Sequence, residues 1–197
     1  MSVRFLAIAI LATVVFAIGP SESACQPRPP ESDARHSSGL AVAPQMDLCH
    51  RMTPYEPLAL AFDRAYTFAQ QHPDDIGYPW DDRGNRTLIV SAVTPNGRAL
   101  LDQWSALGWE VPVRIRTVTR SFAELERVKD DVIELARTRI PGTEYIGMSA
   151  GDWERNRVLI GVARLTDELA AAIVARYGTE VVAVLISPRY GPFSLRD

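Results

Sequence analysis

The sequence predicts an α+β fold made of two similar turn–strand–helix–strand units, with small sheets packed against helices. The five-residue pattern N-R-x-L-I begins at Asn85 and begins again at Asn156. Each copy opens an apolar, strand-like run that is followed by a Thr, a helical periodicity and a Gly. The same succession of signals twice in one chain indicates a repeated structural unit.

The first 24 residues are expected to be a secretory signal peptide. Arg4 supplies a positive start, and the apolar run from Phe5 to Ile18 is shorter than the roughly 20 residues that span a bilayer. Gly19 and Pro20 then break the run, which favours cleavage over a retained anchor. We therefore expect an exported chain, secreted or at the cell surface, with no membrane span after cleavage.

Cys25 and Cys49 are the two cysteines of the chain. In an exported protein they are candidates for one disulfide. Cys25 is a less favoured candidate for lipidation, because Ala24 fits a lipoprotein signal but Glu22 stands where an aliphatic residue is expected. The sequence leaves open whether Cys25 is bonded to Cys49, lipidated or removed.

Residues 25–53 are expected to form a flexible linker. The stretch from Gln26 to Ala43 is rich in Pro, Ser and charge, and it is poor in large apolar side chains. Such a segment buries too little surface to offset its ordering entropy. The folded domain is then expected over 54–197, with two units at about 77–118 and 145–187 joined by a helix over 121–139.

Before the first unit, a helix is predicted from Pro57 to Gln71, because Pro suits a first helical turn and His72-Pro73 ends the apolar periodicity. Residues 77–85 are rich in Gly, Pro and Asp and predict a turn. The elements that follow are a strand over 86–93, a helix from the Thr94 cap to about Leu107, and a strand over 111–118.

The capping box from Ser121 to Glu124 predicts the start of the helix with the most regular apolar stripe, which runs to about Arg139. A short strand near Tyr145 and a turn over 152–156 follow. The last predicted elements are a strand over 157–163, a helix capped by Thr166 and ended by Gly178, and a strand over 180–186.

The N-R-x-L-I pattern has a structural explanation. Asn suits a turn because it tolerates left-handed backbone and bonds locally. The Arg is expected at a solvent-facing strand start, and the Leu and Ile are expected to face the core. This interpretation accounts for the pattern without a catalytic or binding role.

The sequence shows no catalytic set and predicts no metal or cofactor. His36, His50 and His72 have no nucleophile pattern nearby, although a triad assembled only in space would leave no such sign. The Asp pairs and the glycines lack the spacing of calcium and phosphate loops. The net charge of -3 argues against nucleic acid as a partner.

Four aromatic residues are candidates for a protein interface: Trp80, Trp153, Tyr190 and Phe193. Exposed aromatic side chains supply much of the binding energy of interfaces. Trp80 and Trp153 precede strands that the repeat makes equivalent, and packing in the core or under a lid is the alternative for both. The other two lie in a tail that either packs or binds a groove as an extended peptide.

Residues 77–190 resemble the pro-regions of secreted bacterial serine proteases of the alpha-lytic and streptogrisin type. The resemblance rests on Tyr78-Pro-Trp80, Thr87–Thr94 (TLIVSAVT), Val113–Val118 (VRIRTV), Ser121–Leu125 (SFAEL) and the run D-x-x-x-N-R-V-L-I-G-V from Asp152 to Val162. Such pro-regions are compact sheets packed on helices that assist the folding of their own protease and inhibit it tightly. Here the sequence reaches Asp197 without a protease domain, so no contact residue of the family is carried over.

These observations lead to one functional hypothesis and one main alternative. The hypothesis is an exported, non-catalytic protein-binding module that inhibits a secreted serine protease, or assists its folding, in trans. The alternative is a structural or tethered cell-envelope module whose partner is another envelope protein. A small hydrolase with an unrecognised site ranks third.

Overall fold

The computed structural model describes residues 34–43 and 55–190. The helices of this part are α1 (Glu56–Gln71), α2 (Pro95–Ser105), α3 (Phe122–Ala136) and α4 (Asp167–Tyr177). The strands are β1 (Ala34–Arg35), β2 (Ala41–Val42), β3 (Ile76–Asp82), β4 (Thr87–Ala92), β5 (Val113–Thr117), β6 (Ile146–Asp152), β7 (Arg157–Val162) and β8 (Val182–Ile186). None of these helices is long and apolar enough to cross a membrane.

The predicted α+β class is confirmed. Each repeated unit is an antiparallel hairpin, a helix, and a strand that returns parallel to the second hairpin strand. The first unit forms a three-stranded sheet in the order β3-β4-β5. The second unit forms β8-β7-β6, and β2 and β1 extend its sheet to five strands.

The helices start where the capping residues predict. The hydroxyls of Thr94, Ser121 and Thr166 accept from the backbone N–H groups of Gly97, Glu124 and Leu169 at 3.0, 3.1 and 3.2 Å. Each bond satisfies an N–H without a partner in the first turn and contributes about 1 kcal/mol. Gly178 ends α4 at a φ of 75°, a left-handed conformation that glycine adopts without strain.

Each unit begins with a strand. For the first unit this differs from the sequence prediction, because the composition of residues 77–85 predicts a turn. Residues 77–82 belong to β3, which pairs with β4. The register shifts between Gly77 and Trp80, so Pro79 lies in a bulge. A bulge takes one residue out of the ladder, so the missing N–H of proline costs no hydrogen bond there.

The N-R-x-L-I pattern does not align equivalent positions of the two units. Asp82 pairs with Thr87 in the first hairpin, and Asp152 pairs with Arg157 in the second. The hairpins therefore align at an offset of 70 (152 − 82), whereas the pattern repeats at an offset of 71 (156 − 85). Because side chains alternate faces along a strand, this one-residue difference reverses the faces.

Burial follows the hairpin alignment. The core positions correspond at an offset of 70, as Leu88 with Val158, Val90 with Ile160 and Ala92 with Val162. Leu159 lies in a separate cluster with Ala41 and Ala183. The left-handed turn residues also correspond in this way, since Arg86 has a φ of 49° and Asn156 a φ of 52°. The predicted turn role holds for both Asn85 and Asn156, and Asn85 Nδ2 donates locally to Asp82 Oδ2 at 2.7 Å. The left-handed residue of the first turn is Arg86 and not Asn85.

Arg157 corrects the expectation of a solvent-facing strand start. Its exposed fraction is 7%, and its Nε donates to Asp152 Oδ2 at 2.9 Å. The two residues are cross-strand neighbours, so the buried guanidinium has an opposite charge beside it. Arg86 is exposed, as expected.

Residues 34–43 differ from the flexible linker that the composition predicts. They form the β1–β2 hairpin, and Ala41 and Val42 pair in parallel with Ala183 and Val184 of β8. Leu40 has an exposed fraction of 0%. The short apolar run at 40–43 is enough to join the core because β8 supplies a strand to pair with. The predicted signal peptide, the rest of the linker, Cys25, Cys49, His50 and Phe193 lie outside the described residues.

Helix α3 joins the two units. It contacts β3 of the first sheet and both β6 and β7 of the second. Its buried residues include Leu125, Val132 and Leu135. Burying each of these side chains contributes about 1.5–3 kcal/mol. One continuous cluster of buried side chains includes residues of both units, so the units share a core.

Candidate functional site

One side of the three-stranded sheet lies opposite the buried residues that pack on α1 and α2. We call this side the outer face. Trp80, Ile89 and Arg114 lie on it in one row, because Trp80 pairs with Ile89 and Ile89 pairs with Arg114. The bulge at Pro79 inserts one residue into β3 and so turns Trp80 to the same side as Ile89.

The row on the outer face combines three kinds of side chain. Trp80 is half-buried and Arg114 is exposed. Ile89, between them, has an exposed fraction of 8%. Trp and Arg are the residue types most enriched among side chains that dominate binding at protein interfaces. The row can therefore supply a flat aromatic surface and a charged group to a protein partner.

The strand β5 is an edge of this sheet, with β4 as its strand neighbour. Leu88 N–H donates to Pro112 O at 2.9 Å. Val118 N–H donates to Ala92 O, also at 2.9 Å. Hydrogen bonds alternate along a ladder, so the residues between these two point their N–H and C=O groups alternately toward β4 and away from it. Those that point away belong to Val113, Ile115 and Thr117.

Trp153 is half-buried and packs where the second hairpin meets the first unit. Its ring stacks on Tyr78, with ring centroids 3.6 Å apart and an angle of 11° between the planes. Lys129, the one lysine of the chain, lies with Nζ 5.5 Å from the centroid of the Trp153 ring. A Cβ atom at Gly151 would lie 1.5 Å from Trp153 Cζ3, so the ring occupies space that only glycine leaves open.

Polar contacts hold the same hairpin against the first unit. Arg116 Nη1 donates to Glu154 O at 2.5 Å, and its Nη2 donates to Trp153 O. The amide of Asn156 accepts from Arg120 N at 2.9 Å and donates to Arg120 O at 3.0 Å. These bonds connect a turn of one unit to the strand and loop of the other.

Burial lowers the pKa of Arg116, and the negative charges of Glu154 and Asp152 oppose that shift. Arginine stays protonated at any physiological pH, so the charge is retained. The guanidinium is held by carbonyl dipoles and by Ser91, whose Oγ accepts from Nε at 3.0 Å. Arg116 is therefore committed to contacts within the chain.

Tyr190 lies against the second sheet. It is half-buried, and a Cβ atom at Gly161 would lie 3.1 Å from its Cδ2. Trp80, Trp153 and Tyr190 thus occupy three different places in the fold, and Phe193 lies outside the described residues. Sequence reasoning did not single out Arg114, which lies exposed on the outer face. The alternation in V-R-I-R-T puts Arg114 and Arg116 on one face, but it shows neither that β5 is an edge nor which arginine is available.

His36 lies in the β1–β2 turn and joins that turn to α4. Its Nδ1 accepts from Ser38 N at 3.3 Å and lies 3.1 Å from Ser38 Oγ. Its Nε2 lies 3.4 Å from Asp167 Oδ1, on a side chain with an exposed fraction of 87%. His36, Ser38 and Asp167 therefore have the three residue types of a Ser-His-Asp catalytic triad. The local bonding and the open carboxylate assign them to holding the turn.

Within residues 34–43 and 55–190, no group of three or more His, Cys, Asp or Glu side chains is arranged to hold a metal ion. A scan against protein-family models and a search of curated proteins found no match to this chain.

Proposed function

We propose that the chain is an exported protein-binding module that acts in trans on a secreted serine protease, by inhibiting it or assisting its folding. The contact is made through the outer face and the free edge of the three-stranded sheet. The proposal assigns no catalytic group and no cofactor to the chain.

The observation that carries the proposal is the row of Trp80, Ile89 and Arg114 beside β5, which has no second strand neighbour among the described residues. An open sheet edge offers backbone hydrogen bonds to an extended segment of a partner, and side chains on alternate positions add selectivity. Trp80 and Arg114 flank an apolar residue in the row, which is a common composition of an interface centre.

The resemblance to protease pro-regions supports the same surface. Three of the segments that carry it, Tyr78–Trp80, Thr87–Thr94 and Val113–Val118, contribute to β3, β4 and β5. The segment from Asp152 to Val162 contributes the second hairpin, whose turn is bound to the first unit through Arg116 and Asn156. Four of the five segments of the resemblance therefore lie on the sheet with the candidate surface or on the hairpin that supports it, and the fifth, Ser121–Leu125, begins α3.

The test is an affinity capture from culture fluid and envelope extract with the exported chain as bait, followed by inhibition and refolding assays on the protease captured. We expect a secreted serine protease that is inhibited or refolded by the chain. Trp80→Ala should weaken its binding by about tenfold or more, because truncating an interface Trp costs about 2 kcal/mol.

The matched control is Leu107→Ala, since Leu107 is a large apolar residue with an exposed fraction of 73% outside the row. It should leave binding unchanged. Capture of no serine protease, or a captured protease that the chain neither inhibits nor refolds, contradicts the proposed function. Equal binding by the Trp80 and Leu107 variants contradicts the proposed surface.

A further inference from the structure

We propose that the segment that docks along β5 is an extended strand with acidic side chains on its outer-face side and apolar side chains on its inner side. This inference rests on the proposed function and specifies the chemistry of its partner. It starts from the charge of the edge. From Val111 to Ser121 the chain carries Arg114, Arg116 and Arg120 and no Asp or Glu.

Arg114 is the member of this group that is available to a partner. Arg116 is bound to carbonyl oxygens of the second hairpin, and Arg120 Nη1 lies 3.3 Å from Asn156 O. The side chain of Arg114 is exposed, and it forms no hydrogen bond or ion pair with another residue of the described ranges. A strand added to β5 would place one of its own side chains beside Arg114 on the outer face.

A second copy of the chain is a poor occupant of this edge. In an antiparallel pair of two β5 strands centred on Ile115, Arg114 of one copy would face Arg116 of the other. In a parallel pair in the same register, Arg114 would face Arg114. Like charges directly opposite each other destabilise a strand pair, whereas a carboxylate at that position stabilises it. The edge therefore disfavours its own copy and favours an acidic strand.

The inner side of the edge has different chemistry. Val113 and Ile115 are half-buried and pack against the main core. Because side chains of an added strand also alternate, those on the inner side would extend this apolar layer. The matching partner strand alternates apolar and acidic residues.

The test uses the exported chain labelled with ¹⁵N and two end-capped peptides, one alternating Val with Glu and the other alternating Val with Lys. The readout is the shift of the backbone amide signals of Val113, Ile115 and Thr117. We expect the Glu peptide to bind about fivefold more tightly than the Lys peptide, because opposite and like cross-strand charges together differ by about 1 kcal/mol. Raising the salt concentration should reduce the ratio.

Two variants and one modified peptide test the assignment. Arg114→Glu should reverse the preference, and Arg164→Glu, a charge reversal at an exposed arginine outside β5, should leave it unchanged. Methylating the backbone nitrogens of the Glu peptide that face β5 should abolish binding, since the methyl groups block edge pairing. Equal binding of both peptides, a Glu preference retained by Arg114→Glu, or full binding of the methylated peptide overturns the inference.

Failure of this inference and failure of the proposed function give different results. If the captured protease protects the β5 amides but the Glu peptide does not shift them, the acidic strand is wrong and the protein-binding function stands. If the peptides behave as expected but capture yields no serine protease, the edge chemistry stands and the protease is the wrong partner.

Discussion

At the residue scale, the contact between Gly151 and Trp153 shows how one small residue permits the junction of the two units. The indole lies over Gly151 and stacks on Tyr78, which has an exposed fraction of 1%. Tyr78 stacks in turn on Phe122 of α3, with ring centroids 4.3 Å apart. A side chain at position 151 would push the indole away from this stack.

We expect Gly151→Ala to lower the free energy of unfolding by about 1–3 kcal/mol, because the added methyl group overpacks the site. Chemical denaturation and Trp fluorescence measure the loss and the displaced ring. Gly84→Ala is the control. Its added Cβ would lie 3.6 Å from Asp82 Oδ1, an ordinary contact distance, so it should change stability by less than about 0.5 kcal/mol. Equal losses in the two variants would show that Trp153 does not occupy this space.

At the element scale, the register of the two hairpins decides which of two isoleucines, Ile89 or Ile160, lies in the main core. Ile89 and Ile160 occupy the same position of N-R-x-L-I. Ile89 lies on the outer face with an exposed fraction of 8%, whereas Ile160 lies in the main core with 0%. The pattern predicts equal roles for the two residues, and the hairpin alignment predicts unequal ones.

We expect Ile160→Ala to cost about 4 kcal/mol and Ile89→Ala about 2 kcal/mol. Ile160 lies in the main cluster of buried side chains, whereas Ile89 lies outside that cluster beside the half-buried Trp80 and the exposed Arg114, whose side chains can move into the space left by the truncation. Equilibrium denaturation of both variants measures the difference. Losses of the same size would support the alignment of the N-R-x-L-I copies over that of the hairpins.

The ion pair between α3 and α4 gives the fold a dependence on acid. Arg176 Nε donates to Asp131 Oδ2 at 2.5 Å, and this bond holds the pKa of Asp131 below its usual value of 3.8. A carboxyl group with a lowered folded-state pKa stabilises the fold above its unfolded-state pKa. That stabilisation is lost as the pH falls from 3.8 through the lower, folded-state value.

We expect Asp131→Asn to reduce stability at neutral pH by about 0.5 kcal/mol, a small loss because the pair is partly exposed to solvent. Below the lowered folded-state pKa of Asp131 the variant and the parent chain should converge. Thermal unfolding of both proteins between about pH 2 and pH 7 gives the free energy of unfolding as a function of pH. The difference between the two curves measures the loss at neutral pH and the convergence at low pH. A constant difference across that range would contradict the role of the Asp131 charge.

At the scale of the whole molecule, the first described strands belong to the folded body. The β1–β2 hairpin pairs with β8, and Leu40 is fully buried within the main core. We expect Leu40→Ala to cost about 3 kcal/mol, as a buried Leu in a core does. Leu60→Ala on α1 is the control, because Leu60 has an exposed fraction of 53%. If both variants keep the stability of the parent chain, residues 34–43 do not contribute to the core.

Local signals made most of the helices predictable. The caps at Thr94, Ser121 and Thr166 form within three residues of sequence, so the sequence contains both partners of each bond. The predicted bounds of the four helices and of β4, β5, β7 and β8 differ from the observed ones by three residues or fewer, whereas β3 was predicted as a turn and β6 as a shorter strand. The pairing of β2 with β8 was not predictable in the same way, since its partners are far apart in the chain.

The candidate site was only partly predictable. Trp80 was a candidate interface residue, but its position on the outer face depends on the bulge at Pro79, which pairing with β4 creates. Trp153 was a candidate for the same reason, and its half-buried ring stacks on Tyr78 at the junction of the two units, a tertiary contact that the sequence does not show. Arg114 stands out from Arg116 only because the second hairpin binds Arg116.

The position of β8 has a consequence for the order of folding. Among the described strands it comes last in the chain, yet it lies in the middle of the five-stranded sheet, between β2 and β7. Ala41 pairs with Ala183, which lies 142 residues later in the chain (183 − 41). Pairings between such distant segments slow folding, whereas the β3–β4 and β6–β7 hairpins close locally. During synthesis β2 would therefore lack its β8 partner until β8 is made, and the β1–β2 hairpin, the first of the described elements to be translated, would be among the last to be protected.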